Sequence, residues 1–354
     1  MYYLKRLKKV GQPRQYFLRF IYRYVLTKKN LVMRKLVFFF YMLVCFDAIG
    51  QVDSSSNKLM SDLDNKSAST GGKQPAKLFY SERLINANTV EVIAKGRLQF
   101  KVVHNFGDIG GTFGGIKNAY GLDNSTDVKI GFVVGLAKNL NMIVSRNKGF
   151  GQVLQLWEMG FKYKFLEQRE NDPSHPLSVA VFVNGVISSQ KADTNTVNIR
   201  ENHYASGSDR QSQVLQLMVA RKFGRILSLQ LNPTLVHTNF VVPGDQKSIF
   251  ALGGGIRVPI YKRFVFIADY FHSFRRQSSI DALKAKGVRL YDVFGMGLEL
   301  LTPGHVFHVN FTNTHTILEN RFIPRTTTSW GKGEYRWGFT VTRDFVLFRD
   351  KKKS

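Results

Sequence analysis

The feature that most constrains this chain is a period of two that returns a dozen times. Residues 153–166, VLQLWEMGFKYKFL, show it best. Val153, Trp157, Met159, Phe161, Tyr163 and Phe165 fall on one face, with Glu158, Gly160, Lys162 and Lys164 on the other. Successive side chains of a strand point to opposite faces, so this is a strand with one apolar wall and one polar wall. Residues 334–347, EYRWGFTVTRDFVL, set Tyr335, Trp337, Phe339 and Val341 against Arg336, Gly338, Thr340 and Thr342. Leu227, Leu229, Leu231 and Leu235 oppose Ser228, Gln230, Asn232 and Thr234 in the same way, and Val128, Ile130, Phe132, Val134 and Leu136 oppose Lys129, Gly131 and Gly135.

Twelve such stretches occur, near 97–105, 127–136, 140–148, 153–166, 177–188, 211–223, 226–239, 248–260, 263–275, 288–302, 305–317 and 334–348. Their connections are mostly very short on one side (Ala137-Lys138-Asn139, Gly224-Arg225, Tyr261-Lys262, Pro303-Gly304) and mostly longer on the other, notably 189–210 and 318–333. The connection at 149–152 is the exception. An even number of long strands with aromatic residues near their ends, short turns on one side and loops on the other, predicts an all-β fold: a transmembrane antiparallel up-and-down β-barrel of about 12 strands. A lipocalin-like barrel or a β-sandwich would turn its apolar face inward and use shorter strands. After residue 50 no apolar run is long enough for a membrane helix, and only a closed barrel otherwise satisfies backbone polar groups in lipid.

The export signals agree. Residues 33–51, MRKLVFFFYMLVCFDAIGQ, have a cationic start at Arg34 and Lys35, an apolar run from Leu36 to Phe46, and small residues at Ala48 and Gly50. This is the pattern of a signal peptide over 33–50, cleaved before Gln51. Residues 1–32 then read as upstream sequence from a misassigned start. Residues 51–77, rich in Ser, Asn, Asp, Lys and Gly, read as a disordered linker ahead of a barrel over 78–348. The final 349–354 form a basic tail.

The single cysteine, Cys45, lies in the apolar run of the leader, so disulfides and thiol catalysis are excluded from a processed chain. The sequence holds 51 Lys and Arg against 25 acids, and 11 of those bases and one acid precede Gln51. A basic balance suits nucleic acid, an anionic membrane surface or anionic solutes. An exported protein rarely meets nucleic acid, which leaves the outer-membrane lipids and small anionic solutes as partners. An aromatic, alternating last strand also resembles the signal read by the barrel-assembly machinery.

Residues 84–107, LINANTVEVIAKGRLQFKVVHNFG, carry a resemblance. With Gly121-Leu122-Asp123 and the strand that follows, they resemble an uncharacterised family of bacteroidete-type outer-membrane barrel proteins. The matching positions are Leu84-Ile85-Asn86, His104-Asn105-Phe106-Gly107 and Gly121-Leu122-Asp123, with Asn105 where the family carries Arg. The resemblance implies a membrane barrel and no known activity.

Chemistry-bearing clusters are few. Asp269-Tyr270-Phe271-His272-Ser273 holds the three triad residue types, but alternation puts Asp269 and Ser273 on one face and His272 on the other. A lipase of the outer-membrane kind is the remote alternative, and nothing matches its nucleophile motif. His104, His203, His237, His272, His305, His308 and His315 lack metal-ligand spacing, and His305 and His308 point oppositely. The glycine runs 110–115 and 253–255 precede no helix, so they are no phosphate loop, and wall curvature accounts for them. The sequence implies no catalytic residue, cofactor or metal.

Inward charge is more informative. Lys101, Lys129, Glu158, Lys162, Lys164, Arg257, Asp269, Glu299 and Arg336 should face the lumen. They would either form a basic pore lining for anionic solutes or a buried network in which Glu158, Asp269 and Glu299 neutralise neighbouring bases. The leading expectation is a passive channel for small, anionic solutes. Loops 189–210 and 318–333 are expected outside the cell, and the alternative is a non-conducting structural or interaction barrel that contacts an outside partner through them. The Gly-rich segment 106–126 is expected to fold inward and narrow the lumen.

Overall fold

The computed structural model describes residues 74–348, apart from positions 225, 262 and 303–304. The leader, the upstream sequence, the linker as far as residue 73 and the basic tail lie outside them. Among the described residues no helix is long and apolar enough to cross a membrane, a criterion that leaves β-barrels untouched.

Twelve antiparallel strands close on themselves in sequence order. They are β1 (Arg97–Asp108), β2 (Ser125–Ala137), β3 (Leu140–Phe150), β4 (Val153–Leu166), β5 (Ser178–Ser188) and β6 (Gln211–Phe223). β7 (Leu227–Thr238), β8 (Ser248–Tyr261), β9 (Phe264–Phe274), β10 (Val293–Thr302), β11 (His305–Thr312) and β12 (Arg336–Val346) complete the wall. β1 pairs with β12 from Arg97↔Val346 to Asp108↔Arg336, which seals the barrel and leaves no free edge among these strands. Two short helices, α1 (Gln277–Ala285) and α2 (Glu319–Arg325), lie in the connections on the long-loop side.

The alternation read from sequence sets the faces. On β4, Trp157, Met159, Phe161, Tyr163 and Phe165 are exposed, while Glu158, Gly160, Lys162 and Lys164 are buried. Val153 departs from its assigned face. Gln155 has a left-handed φ of 56°, which breaks the local alternation, so Val153 and Leu156 both turn inward and pack with Val186 and Leu318. The tenth and eleventh strands are shorter than their alternating stretches, because 288–292 and 313–317 leave the wall and join the loops.

The interior is not an empty polar tube. Residues 76–95, the start of the expected barrel, form no wall strand. They enter on the short-turn side, run up inside the barrel, turn, and return to begin β1. Ala76 N–H donates to Gln168 O at 2.8 Å and Gly96 N–H to Gly135 O at 2.9 Å, which tie both legs to that rim. At the tip, Leu84 N–H donates to Ala87 O at 2.8 Å and Thr89 N–H to Glu82 O at 2.9 Å, with a bridge between Arg83 and Asn88. The hairpin's Leu78, Phe79, Leu84, Ile85 and Val90 share one apolar core with Val133, Ile143, Phe182, Met218, Val265 and Ile267 of the wall. Burying five such side chains stabilises the hairpin in place by roughly 10 kcal/mol, at about 1.5–3 kcal/mol each with allowance for a compact unfolded reference.

The long-loop side contributes a second filling. α2 sinks into the barrel mouth, where Phe322 and Ile323 join Ala87, Val214, Val236, Ile249, Phe271 and Val293. This corrects two expectations. The segment 318–333 does not simply stand outside, since Glu319, Asn320, Phe322, Ile323 and Pro324 are buried. The Gly-rich 106–126 does not narrow the lumen, and Phe113 and Ile116 at its centre are about three-quarters exposed. The difference follows from what each segment can bury: α2 brings Phe322 and Ile323 to an apolar recess, and the glycines bring nothing.

Candidate functional site: a lumen filled from both ends

All nine side chains assigned to the lumen lie inside the barrel, and none is more than 5% exposed. What they meet there is mainly the chain itself. Lys101 pairs with Glu82 of the hairpin. Lys162 lies 3.7 Å from the other Glu82 oxygen and donates to the carbonyls of Glu82 at 3.1 Å, Thr89 at 3.2 Å and Glu91 at 3.4 Å. Lys164 reaches Glu91 at 3.4 Å and Glu167 at 3.2 Å. The hairpin thus supplies two acids to three wall lysines.

Other pairs close within the wall. Lys129 donates to Glu158 at 2.6 Å, and Ser145 and Asn184 complete that carboxylate's hydrogen bonds at 2.6 and 2.8 Å. Arg257 donates to Glu299 at 3.1 Å while its guanidinium lies 4.5 Å from the ring centroid of Tyr80 on the hairpin. His308 bridges the other Glu299 oxygen and Leu84 O, each at 3.2 Å. Arg336 donates to Asp108 at 2.6 Å. The buried-network alternative has Lys162, Lys164 and Arg336 neutralise Glu158, Asp269 or Glu299. The geometry instead gives those three bases to Glu82, Glu91 with Glu167, and Asp108, because the hairpin stands between opposite walls.

Among the described residues no base pairs with Asp269. Its Oδ2 accepts the backbone N–H groups of Ile85 at 3.0 Å, Asn86 at 2.6 Å and Ala87 at 2.8 Å, and Oδ1 accepts the Asn86 side chain at 2.9 Å. Three convergent amides make a nest for one carboxylate oxygen. The Leu84-Ile85-Asn86 segment is therefore the tip that this carboxylate grips. Two strands along the wall, on β7, Gln230 accepts Val90 N–H at 2.9 Å and donates to Asn88 O at 2.6 Å, and Asn232 donates to the same oxygen at 2.9 Å.

Gly255 and Gly295 make room for that tip. A Cβ on Gly255 would sit 2.3 Å from Leu84 Cδ1, and one on Gly295 would sit 2.7 Å from Asn86 Nδ2. Within the glycine run on β8, Gly255 therefore serves close approach of the hairpin, a use that wall curvature alone does not explain.

The tempting catalytic residues do not assemble. Asp269 is inside at the hairpin, Ser273 donates to Ile323 O at 2.7 Å, and His272 faces outward to Asp292 at 2.9 Å. The histidines are scattered too. His104 stacks on Phe339, His237 meets Ser248 at 2.8 Å, His203 lies near Phe240, His305 near Phe307 and His315 against Phe150.

The model of a family described as a membrane bound beta barrel domain (DUF5777) matches residues 79–345. The chain belongs to this family. The match takes in the hairpin from Phe79 onward as well as all but the last residue of the wall. The curated proteins offer no match. Solved structures with a similar fold include the KdgM porin, at 10% identity, a TM-score of 0.40 and coverage of 70% of this chain and 99% of that one. The same porin in complex with disordered oligogalacturonate matches with a TM-score of 0.38. An outer-membrane channel from Pseudomonas putida matches at 10% identity and a TM-score of 0.43, covering 72% of this chain and 98% of that one.

Proposed function

We propose that this membrane-bound barrel is an outer-membrane channel for small solutes, held shut in the described conformation by its own hairpin. The observation that carries this reading is where the acids sit. Lys101, Lys162 and Lys164 belong to the wall, whereas Glu82 and Glu91, which neutralise them, belong to the hairpin. With the hairpin in place the lumen is filled and its charges are paired. With the hairpin displaced toward the short-turn rim, Lys101 and Lys162 would lose their carboxylate and Lys164 would keep only Glu167, so the path would gain positive charge and raise the local concentration of anions. Small anionic solutes are therefore the class this lumen would favour, and the role is non-enzymatic. An oligogalacturonate complex of a porin with a similar fold is in keeping with that class.

A second reading, a non-conducting structural or interaction barrel, draws support from the apolar half of the hairpin's seat. Phe79, Leu84 and Val90 would be wetted on displacement, and that cost keeps a closed state dominant.

Planar-bilayer recording separates the two. E82Q/E91Q removes the hairpin carboxylates from Lys101, Lys162 and Lys164 and should raise the frequency of openings, with a reversal potential showing anion preference. Asn86→Cys with Thr312→Cys joins positions whose side chains lie 3.3 Å apart, so oxidation should silence the openings and a reductant should restore them. Silence from wild type and E82Q/E91Q alike, in protein shown to be folded, would leave the structural reading.

A further inference from the structure

The outer wall carries a feature that neither the lumen nor the family description explains. A groove of about 570 Å³ runs over β6 to β9, open to the surroundings and almost wholly apolar. Leu229, Leu231 and Tyr270 form its sides. Gly254 and Ala268 form its floor, where neighbouring outward positions carry large side chains such as Leu252 and Phe250. Arg221 stands at one end, two residues before β6 finishes on the short-turn side.

Arg221 is the second observation. It faces outward and is exposed, between Val219 and Phe223 on the same face. Its guanidinium lies 5.0 Å from the Phe223 ring centroid, and among the described residues no carboxylate pairs with it. A cation on the lipid face of a barrel is tolerated where it can reach the headgroup layer, and there it attracts phosphate.

We propose that this groove seats one phospholipid, an acyl chain lying along Gly254 and Ala268 and the headgroup phosphate held by Arg221. The partner chemistry is set at both ends. A floor without polar groups selects hydrocarbon, and a lone guanidinium at the interface selects an anion joined to it. Arg343 is the internal comparison: it makes the same cation–π contact with Phe345 at 5.2 Å near the short-turn rim but does not line the groove.

The test uses the full chain, extracted in mild detergent, exchanged into vesicles of phosphatidylglycerol or of diacylglycerol-doped phosphatidylcholine, and weighed intact by native mass spectrometry. Wild type should retain one phosphatidylglycerol per barrel and hold diacylglycerol about fivefold less, the effect of one basic side chain at an anionic headgroup. Ala268→Phe should remove both by filling the floor, with heat-modifiable gel mobility confirming a folded barrel. Arg221→Gln should keep the acyl contact and erase the preference for phosphate, and Arg343→Gln should change nothing. Equal retention by folded Ala268→Phe, an unchanged preference in Arg221→Gln, or a lipid-free dimer in place of the lipid-bound monomer would overturn the proposal.

Discussion

Arg83 Nη1 donates to Glu319 Oε1 at 3.0 Å, and both side chains are almost fully buried. The two residues reach this point from opposite rims: Arg83 rides the hairpin up from the short turns, and Glu319 opens α2, which descends from the long loops. Arg83 Nη2 also donates to Ile317 O at 2.5 Å, and Asn88 of the hairpin shares the same Glu319 oxygen at 3.2 Å. The inner stopper and the mouth helix are thus joined at one ion pair. α2 is held in turn by Arg321 and Arg325, which pair with Glu201 of the loop between β5 and β6 at 2.6 and 2.7 Å. Loosening of either filling should therefore be felt by the other.

Removing one member of that pair leaves the other charged and unpaired in the barrel interior. Arg83→Met and Glu319→Leu should each lower stability by about 3–5 kcal/mol, and the double variant should lose much less than the sum. Denaturant titration in micelles, read by tryptophan fluorescence, checks this. Additive losses would mean that the pair does not couple the two segments.

Asp269 makes a more local grip. Asp269→Ala abolishes an acceptor used by three backbone amides at the hairpin tip, and each buried donor left unmet costs about 1–3 kcal/mol. The wall should survive, because its ladder does not depend on that carboxylate, while residues 76–95 become cleavable by added protease. Cleavage mapped by mass spectrometry should begin near the tip. A hairpin as resistant as wild type would show that Gln230 and Asn232 suffice to hold it.

The wall was legible because each strand has lipid or loop on one side and the interior on the other, which writes a period of two into residues such as Trp157 to Phe165. The hairpin had no such imprint. Wall surrounds it on all sides, so Leu78, Phe79, Leu84 and Ile85 are buried together with Glu82, Arg83 and Asn86, and neither a face nor a period survives. The Leu84-Ile85-Asn86 motif marked the segment as distinctive without saying that it folds inward. Inward charge was legible from alternation; its partners were not, since Glu82 and Glu91 come from a segment with no readable face. The descent of α2 left only a few scattered apolar residues as a signal, Leu318, Phe322 and Ile323, with no period to give them a face.

Acid should weaken both fillings. Burial alone would raise the Glu91 carboxyl, but Lys77, Lys164 and the amides of Phe79 and Leu78 outweigh it and hold the group at about 2. Glu201 is also held at about 2, with Arg321 and Arg325 overcoming its burial. Both groups have an ordinary value of 4.5, so their folded-state values are depressed. Their contribution is complete above that ordinary value and is lost as pH falls from about 4.5 toward about 2. Melting temperature measured across this window should drop, and Glu91→Gln and Glu201→Gln should each flatten part of the slope. An unchanged slope in both variants would place the acid sensitivity elsewhere.

Gly255 and Gly254 offer a contrast between the two faces of one strand. A Cβ at 255 meets Leu84 Cδ1 at 2.3 Å, whereas one at 254 meets nothing nearer than Gln230 O at 3.2 Å, outside the barrel wall. Leu84 is buried on every side and has little room to turn away. Gly255→Val should therefore push the hairpin tip off its seat, cost about 1–3 kcal/mol as an overpacked core does, and make residues 76–95 protease-sensitive. Gly254→Val should leave the hairpin as protected as in wild type. Leu84→Ala opens space where the new side chain needs it, so Gly255→Val with Leu84→Ala should recover much of the protection that either change loses alone. Because Gly255→Val and the double variant carry the same change in the wall, protection that tracks the fit at Leu84, and not the added side chain at β8 itself, identifies the hairpin as the element displaced. Equal sensitivity of the single and double variants would instead mean that Gly255 serves the wall.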